Sequence, residues 1–142
     1  MNAFPRFEDL LKKKHLKLTR ERKDIYEKVS RLRGHFDADS LYDTLRRENT
    51  GIARGTVYRT IPLLLESGVI QKSVGEGKRE FFESRTGKRH HDHIVCISCR
   101  KVIEFHCDEI EKLQDRVCGR LGFEIAFHDH RIFGYCRDCK KA

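Results

Sequence analysis

Arg54-Gly55-Thr56-Val57-Tyr58-Arg59-Thr60-Ile61-Pro62-Leu63-Leu64-Leu65-Glu66 is the stretch on which the fold turns. Val57, Ile61, Leu64 and Leu65 recur at helical spacing, and Gly68 supplies a stop. Pro62 offers no N–H to the Tyr58 carbonyl, which predicts a kink or a late start. Immediately downstream, Val69 to Val74 and Arg79 to Glu83 read as strands around the turn Gly75-Glu76-Gly77-Lys78. Upstream, Phe7, Leu10 and Leu11 share a helical face within 7–14. Thr19 is placed to cap a helix near 20–32 carrying Ile25, Val29 and Leu32, with Gly34 ending it. Asp37 is placed to cap another, with Ala38, Leu41, Tyr42 and Leu45 as its apolar stripe. Helices in series followed by a hairpin are the layout of a winged helix-turn-helix, in which the helix over 54–66 reads the DNA groove.

Charge divides the 142-residue chain in the same place. Residues 1–89 hold 21 Lys/Arg against 13 Asp/Glu, whereas residues 90–142 hold nine of each. The formal net of +8 therefore sits wholly in the first part. Such a half suits a polyanion, although a solvated basic surface has the same composition. No run approaches the roughly 20 apolar residues of a membrane span. The first eleven residues lack a basic-then-apolar signal, so a cytoplasmic chain without membrane attachment is expected.

Metal-binding chemistry gathers in the other half. All six Cys follow residue 89, as do six of eight His. Without a secretory signal, paired Cys read as ligands before disulfides. Cys96-x-x-Cys99 and Cys136-x-x-Cys139 each let two thiolates grip one ion from one turn, and together they make a closed, structural Zn²⁺ site. Cys107 and Cys118 lack such spacing and read as core thiols. In His90-His91-Asp92-His93, an extended backbone turns His91 and His93 to one side and His90 and Asp92 to the other. One tetrapeptide can thus serve two sites for divalent first-row ions, or stand as a solvated polar turn. Ile94 to Ile97 and Val102 to Phe105 read as strands. Asp108 is expected to cap a helix with the stripe Ile110, Leu113, Val117 and Leu121, ended by Gly122. Phe123, Ile125 and Phe127 alternate as a strand against which Arg131 to Tyr135 would pair.

Three features in this order give a family likeness. Gly55-Thr56-Val57-Tyr58-Arg59-Thr60, then His90-His91-Asp92-His93 leading to Cys96-x-x-Cys99, then Val102-Ile103-Glu104-Phe105 resemble the ferric uptake regulator (Fur) family. The likeness runs from about Leu18 to Cys139. It implies an α+β chain: a winged-helix DNA-binding domain over 1–84, a hinge over 85–90 centred on Thr86-Gly87-Lys88-Arg89, and a small α/β metal-binding dimerisation domain over 91–142. It also implies structural zinc at Cys96, Cys99, Cys136 and Cys139. By the same resemblance a sensory site takes His35, Glu83, His91, His93 and Glu104, and an additional site takes His90, Asp92, Glu111 and His128. On DNA, Tyr58 and Arg59 match the groove-reading positions; Arg54 and Thr56 are placed to contact backbone, and Lys12, Lys13, Lys14, Lys17, Arg20 and Arg22 read as phosphate contacts or else as a solvated face. A partly buried core aromatic is the other reading of Tyr58.

The function so implied is a homodimeric repressor that binds an inverted-repeat operator of metal-uptake genes. The regulatory ion is Fe²⁺, with Mn²⁺ or Zn²⁺ as substitutes. No small-molecule substrate and no catalytic residue are expected. Peroxide sensors of the family carry Asp at both sensory carboxylate positions, where this chain has Glu83 and Glu104, which favours iron. Manganese, zinc and nickel sensing share overlapping coordination chemistry. A zinc-dependent hydrolase is a distant alternative. His91-x-His93 followed by Glu104 is similar in spacing to the JAMM-class isopeptidase motif, but that motif wants Ser at Lys101 and Asp at Glu104. A zinc-ribbon RNA binder would need aromatic platforms that are missing here.

Overall fold

The computed structural model describes residues 3–75, 79–86 and 90–140. The chain divides into two compact units, Met1–Lys88 and Arg89–Ala142. The tip of the expected hairpin, Glu76-Gly77-Lys78, and the middle of the expected hinge, Gly87-Lys88-Arg89, lie outside the described residues.

In the first unit, α1 (Phe4–Lys13), α2 (Arg20–Arg31), α3 (Ala38–Arg47) and α4 (Arg54–Glu66) surround one core. The Thr19 hydroxyl accepts the Arg22 N–H at 3.2 Å to start α2. At α3, Asp37 accepts from Ser40 N–H at 2.7 Å while the Ser40 hydroxyl returns to the Asp37 backbone, a capping box. Helix α4 runs from Arg54 through Pro62 without the expected late start. Pro62 stands on the exposed face, so the carbonyl it leaves unbonded, that of Tyr58, is on the water side. Gly68 adopts φ +76° and closes the helix in the left-handed region.

Strands β1 (His35–Phe36), β2 (Ile70–Ser73) and β3 (Phe81–Ser84) form an antiparallel sheet in the order β1-β3-β2. Strand β1 is two residues long and carries no periodicity that sequence could show. Its pairing sets His35 opposite Glu83 and Phe36 opposite Phe82. Phe7, Leu11, Ile25, Val29, Leu41, Val57, Leu64 and Val69 are almost wholly buried, with Phe82 sealing the sheet side. The unit has a complete core of its own.

In the second unit, β4 (Asp92–Cys96) is flanked by β5 (Val102–Phe105) and β6 (Arg131–Gly134), and α5 (Asp108–Arg120) connects the two edges. Strand β4 pairs antiparallel with β5 and parallel with β6. Two expectations are corrected here. Residues 123–127 form no strand, and β6 pairs with β4 instead. Phe123, Ile125 and Phe127 alternate in sequence but pair with no strand among the described residues, and all three remain exposed. Cys107, not Asp108, is the N-cap of α5; Asp108 is its first residue and bonds His106 at 2.7 Å. The stripe on α5 is present but uncovered, with Leu113 54% and Leu121 71% exposed. Cys107 and Cys118 are accordingly half-buried free thiols rather than core ones. Among the described residues, no helix is long and apolar enough to cross a membrane.

Candidate metal centres and nucleic-acid interface

Two tight turns carry the four thiols. One follows β4 at Cys96–Cys99 and the other follows β6 at Cys136–Cys139. Because β4 and β6 are adjacent and parallel, their C-terminal ends bring both turns to one place. One sulfur from each cysteine lies within 4.8 Å of all the others, and Cys99 Sγ is 3.8 Å from Cys136 Sγ. A ZnS₄ tetrahedron with bonds of about 2.3 Å has edges of about 3.8 Å, so the donor set fits zinc. The backbone N–H groups of Cys99 and Cys136 turn toward the Cys96 sulfur and lower its pKa to about 6. The crowded neighbouring thiols, Cys136 foremost, push Cys139 up to about 12, so a metal cation is what allows all four to ionise together.

The alternation of β4 separates the remaining ligands. His90 and Asp92 face α5 and the chain before β6, where they meet Glu111 and His128. His90 Nε2 is 3.2 Å from Asp92 Oδ1, 3.3 Å from Glu111 Oε1 and 2.7 Å from His128 Nε2. His128 Nε2 is 3.2 Å from Asp92 Oδ1 and 3.4 Å from Glu111 Oε1. Bonds of about 2.1 Å give polyhedron edges of about 3.0–3.4 Å, so two imidazoles and two carboxylates at these separations fit a divalent first-row ion. Gln114, one turn beyond Glu111, bonds His128 Nδ1 at 3.0 Å and fixes that ring from behind. His130 Nδ1 stands 3.8 Å from Asp92 Oδ2. Neither Gln114 nor His130 belongs to a ligand set expected from the sequence. The helical spacing of Gln114 from Glu111 was the available signal.

On the other side of β4, His93 is opposite Glu104 in the β4–β5 register. His91 Nε2 lies 3.6 Å from Glu104 Oε1, and the His91 and His93 rings are 5.1 Å apart. Each of the three offers a donor atom within 4.8 Å of the others. In the first unit, Glu83 is buried on β3, where Gln71 Nε2 donates to Oε1 at 2.8 Å and Ser73 Oγ to Oε2 at 3.2 Å. His35, exposed on β1, is its cross-strand neighbour.

The basic residues expected to meet DNA lie on the first unit. On α4, Arg54, Gly55, Tyr58, Arg59 and Pro62 form one exposed face, opposite Val57, Ile61 and Leu64. Tyr58 is 45% exposed and thus no core aromatic. Arg59 bends back to Thr56 Oγ1 at 3.4 Å over Gly55, where a Cβ would come within 3.0 Å of its guanidinium. Lys14 pairs with Glu66 at 2.9 Å, and Arg20 projects into solvent at the start of α2.

The model of the ferric uptake regulator family matches residues 13–133, most of the chain. The chain belongs to the ferric uptake regulator family. It is 38% identical over 136 residues to the ferric uptake regulation protein of Brucella suis biovar 1, covering 96% of this chain and 94% of that one. Among solved structures it resembles the Helicobacter pylori regulator Fur, described as having three functional metal-binding sites. The TM-score is 0.60 at 26% identity, with 100% of this chain and 96% of that one covered. It also resembles the Pseudomonas aeruginosa ferric uptake regulator with manganese, with a TM-score of 0.63 at 27% identity over 92% of this chain and 97% of that one. The three Fur-family features quoted from the sequence all fall within the matched residues.

Proposed function

We propose that this Fur-family chain is a cytoplasmic, homodimeric transcriptional repressor that binds a double-stranded operator when loaded with Fe²⁺. The observation that carries the reading is the sorting of ligands on β4. A closed thiolate set sits at one end, and imidazole–carboxylate sets lie on its two sides. Four thiolates retain zinc as a structural ion. Mixed N/O sets hold a divalent ion exchangeably, as a sensor requires.

The regulatory site comprises His91, His93 and Glu104, joined by Glu83 and His35 from the first unit. His90, Asp92, Glu111 and His128 form an additional site. Glutamate at both sensory carboxylate positions favours iron over peroxide sensing. Arg54, Tyr58 and Arg59 meet the duplex through the exposed face of α4, half-buried Thr56 contacts its backbone from the flank of the helix, and Lys14 and Arg20 contact phosphates. A Tyr ring can pack on thymine methyls while Arg takes base edges or phosphate.

An ion with ligands in both units fixes the setting of residues 85–90. Two half-site readers in a dimer bind together only at one separation, so fixing it raises the competent population. A differential affinity of about 2.7 kcal/mol gives roughly hundredfold tighter DNA binding, and DNA must tighten metal binding by the same factor.

The test is an anaerobic titration of operator binding against Fe²⁺, Mn²⁺, Zn²⁺ and Ni²⁺, starting from protein that retains its structural zinc. Fe²⁺ is expected to give the roughly hundredfold gain. A gain with another ion and none with Fe²⁺ would overturn the assignment of iron.

A further inference from the structure

We infer that Asp39 is a positioning residue for the DNA-reading face, holding Tyr58 and Arg54 in place for sequence discrimination without itself reading a base. This rests on the DNA-binding role proposed above. Asp39 stands in the first turn of α3, where an acidic side chain is favoured by the helix dipole. Arg54 opens α4, and Tyr58 follows one turn later on the same face. Arg54 Nη1 and the Tyr58 hydroxyl both donate to one atom, Asp39 Oδ1, each at 2.6 Å. The Arg54 guanidinium also lies 4.8 Å from the centre of the Tyr42 ring, one turn along α3 from Asp39. Thus α3 supplies an acceptor and a ring, and α4 supplies two donors.

The anchor is itself fixed. Asp37 caps α3 through Ser40 and receives Arg79 Nη1 at 3.2 Å, so the turn bearing Asp39 is tied to the sheet side of the unit. Folding has little use for the clamp. Its ion pair is 57% and 44% exposed, and such pairs contribute about 0–1 kcal/mol. Recognition has more. Tethering the hydroxyl fixes the Tyr58 ring before the duplex arrives, which removes an ordering cost from specific binding. The carboxylate also offsets the charge of Arg54 and repels phosphate, which weakens sequence-independent attraction. The first effect raises the ratio of specific to non-specific affinity, whereas the second lowers binding to every duplex alike.

Because both bonds fall on Oδ1, orientation and charge can be separated. Asp39→Asn keeps an oxygen at that position and loses the charge; Asp39→Ala loses both. The probes are a duplex selected from a random-sequence pool by the metal-loaded wild-type protein and a shuffled duplex of the same composition. For Asp39→Ala we expect about threefold tighter binding to the shuffled duplex and a roughly tenfold lower selected-to-shuffled ratio. Asp39→Asn should bind the shuffled duplex equally tightly while keeping the wild-type selected-to-shuffled ratio. The melting temperature of each variant is measured alongside. If Asp39→Ala fails to fold, Asp39→Asn decides alone, and unchanged shuffled-duplex affinity overturns the inference. It is also overturned if Asp39→Ala keeps the wild-type ratio within twofold, or if Asp39→Asn loses as much of the ratio as Asp39→Ala. Wild-type protein that fails to distinguish the two duplexes would instead overturn the DNA reading, and the inference with it.

Discussion

The first unit closes an apolar core within one chain, with Phe7, Ile25, Val29, Val57, Leu64 and Val69 all at 0% exposure. In the second unit, Val95 and Cys96 are the buried apolar side chains among the described residues, and α5 buries none. Leu121, Phe123, Phe133 and Tyr135 stand at 54–73% exposure. A monomeric domain rarely leaves so much apolar surface in water. On the proposed reading, ligand chemistry within the chain holds the second unit, and a second copy covers the exposed face in the dimer. The first unit has a complete core of its own; the second, on the proposed reading, depends on what it binds.

The largest expected difference follows directly. Cys96→Ser should cost the second unit its fold, because structural zinc contributes on the order of 10 kcal/mol in small zinc domains. Hydrogen exchange should show protection lost across β4–β6 and retained in α1–α4. Retained zinc and protection in β4 would break the contrast. Next in size, Leu64→Ala, at a fully buried site, should destabilise the first unit by about 2–5 kcal/mol in thermal or urea unfolding. Leu121→Ala, at 71% exposure, should cost well under 1 kcal/mol of folding within the chain. Replacing Phe133 with Asp should weaken the proposed dimer by tenfold or more in sedimentation velocity, with the first unit's melting unchanged.

The smallest effect concerns acid. Burial would raise the Asp37 pKa, but the Ser40 backbone and hydroxyl bonds and then Arg79 outweigh it and leave it below 3.8. A carboxylate with a depressed folded pKa stabilises the fold above its unfolded value and loses that contribution as pH falls through the folded one. The first unit should therefore weaken below about pH 4. Asp37→Ala should lose about 1 kcal/mol at neutral pH as a lost cap and flatten the acid limb. An unchanged acid limb would place the titrating group elsewhere.

Legibility from sequence follows the same division. Helices α2, α3 and α4 were readable because each carries a 3.6-residue stripe and a local start or stop, such as Thr19, Asp37 or Gly68. The Cys pairs were readable because two-residue gaps act within one turn. Beyond them, the signals depended on distant backbone. The alternation of Phe123, Ile125 and Phe127 resembles a strand, yet β4 takes β6 as its parallel neighbour, and periodicity cannot choose a partner. The roles of Asp39 and Gln114 depend on residues 19 and 14 positions away, and only the helical spacing of Gln114 from Glu111 hints at either. Pro62 was readable as an oddity but not as harmless, because only the fold shows that its face is exposed.

The most direct test of the proposed sensory site is the Fe²⁺-dependent gain in operator affinity of His91→Ala combined with Glu104→Ala, measured anaerobically beside wild type. The expected result is a double variant with its zinc and dimer mass intact and a gain close to onefold, against roughly hundredfold for wild type. A full gain in the double variant would contradict a sensor built on His91, His93 and Glu104, and would move the sensing role to His90, Asp92, Glu111 and His128.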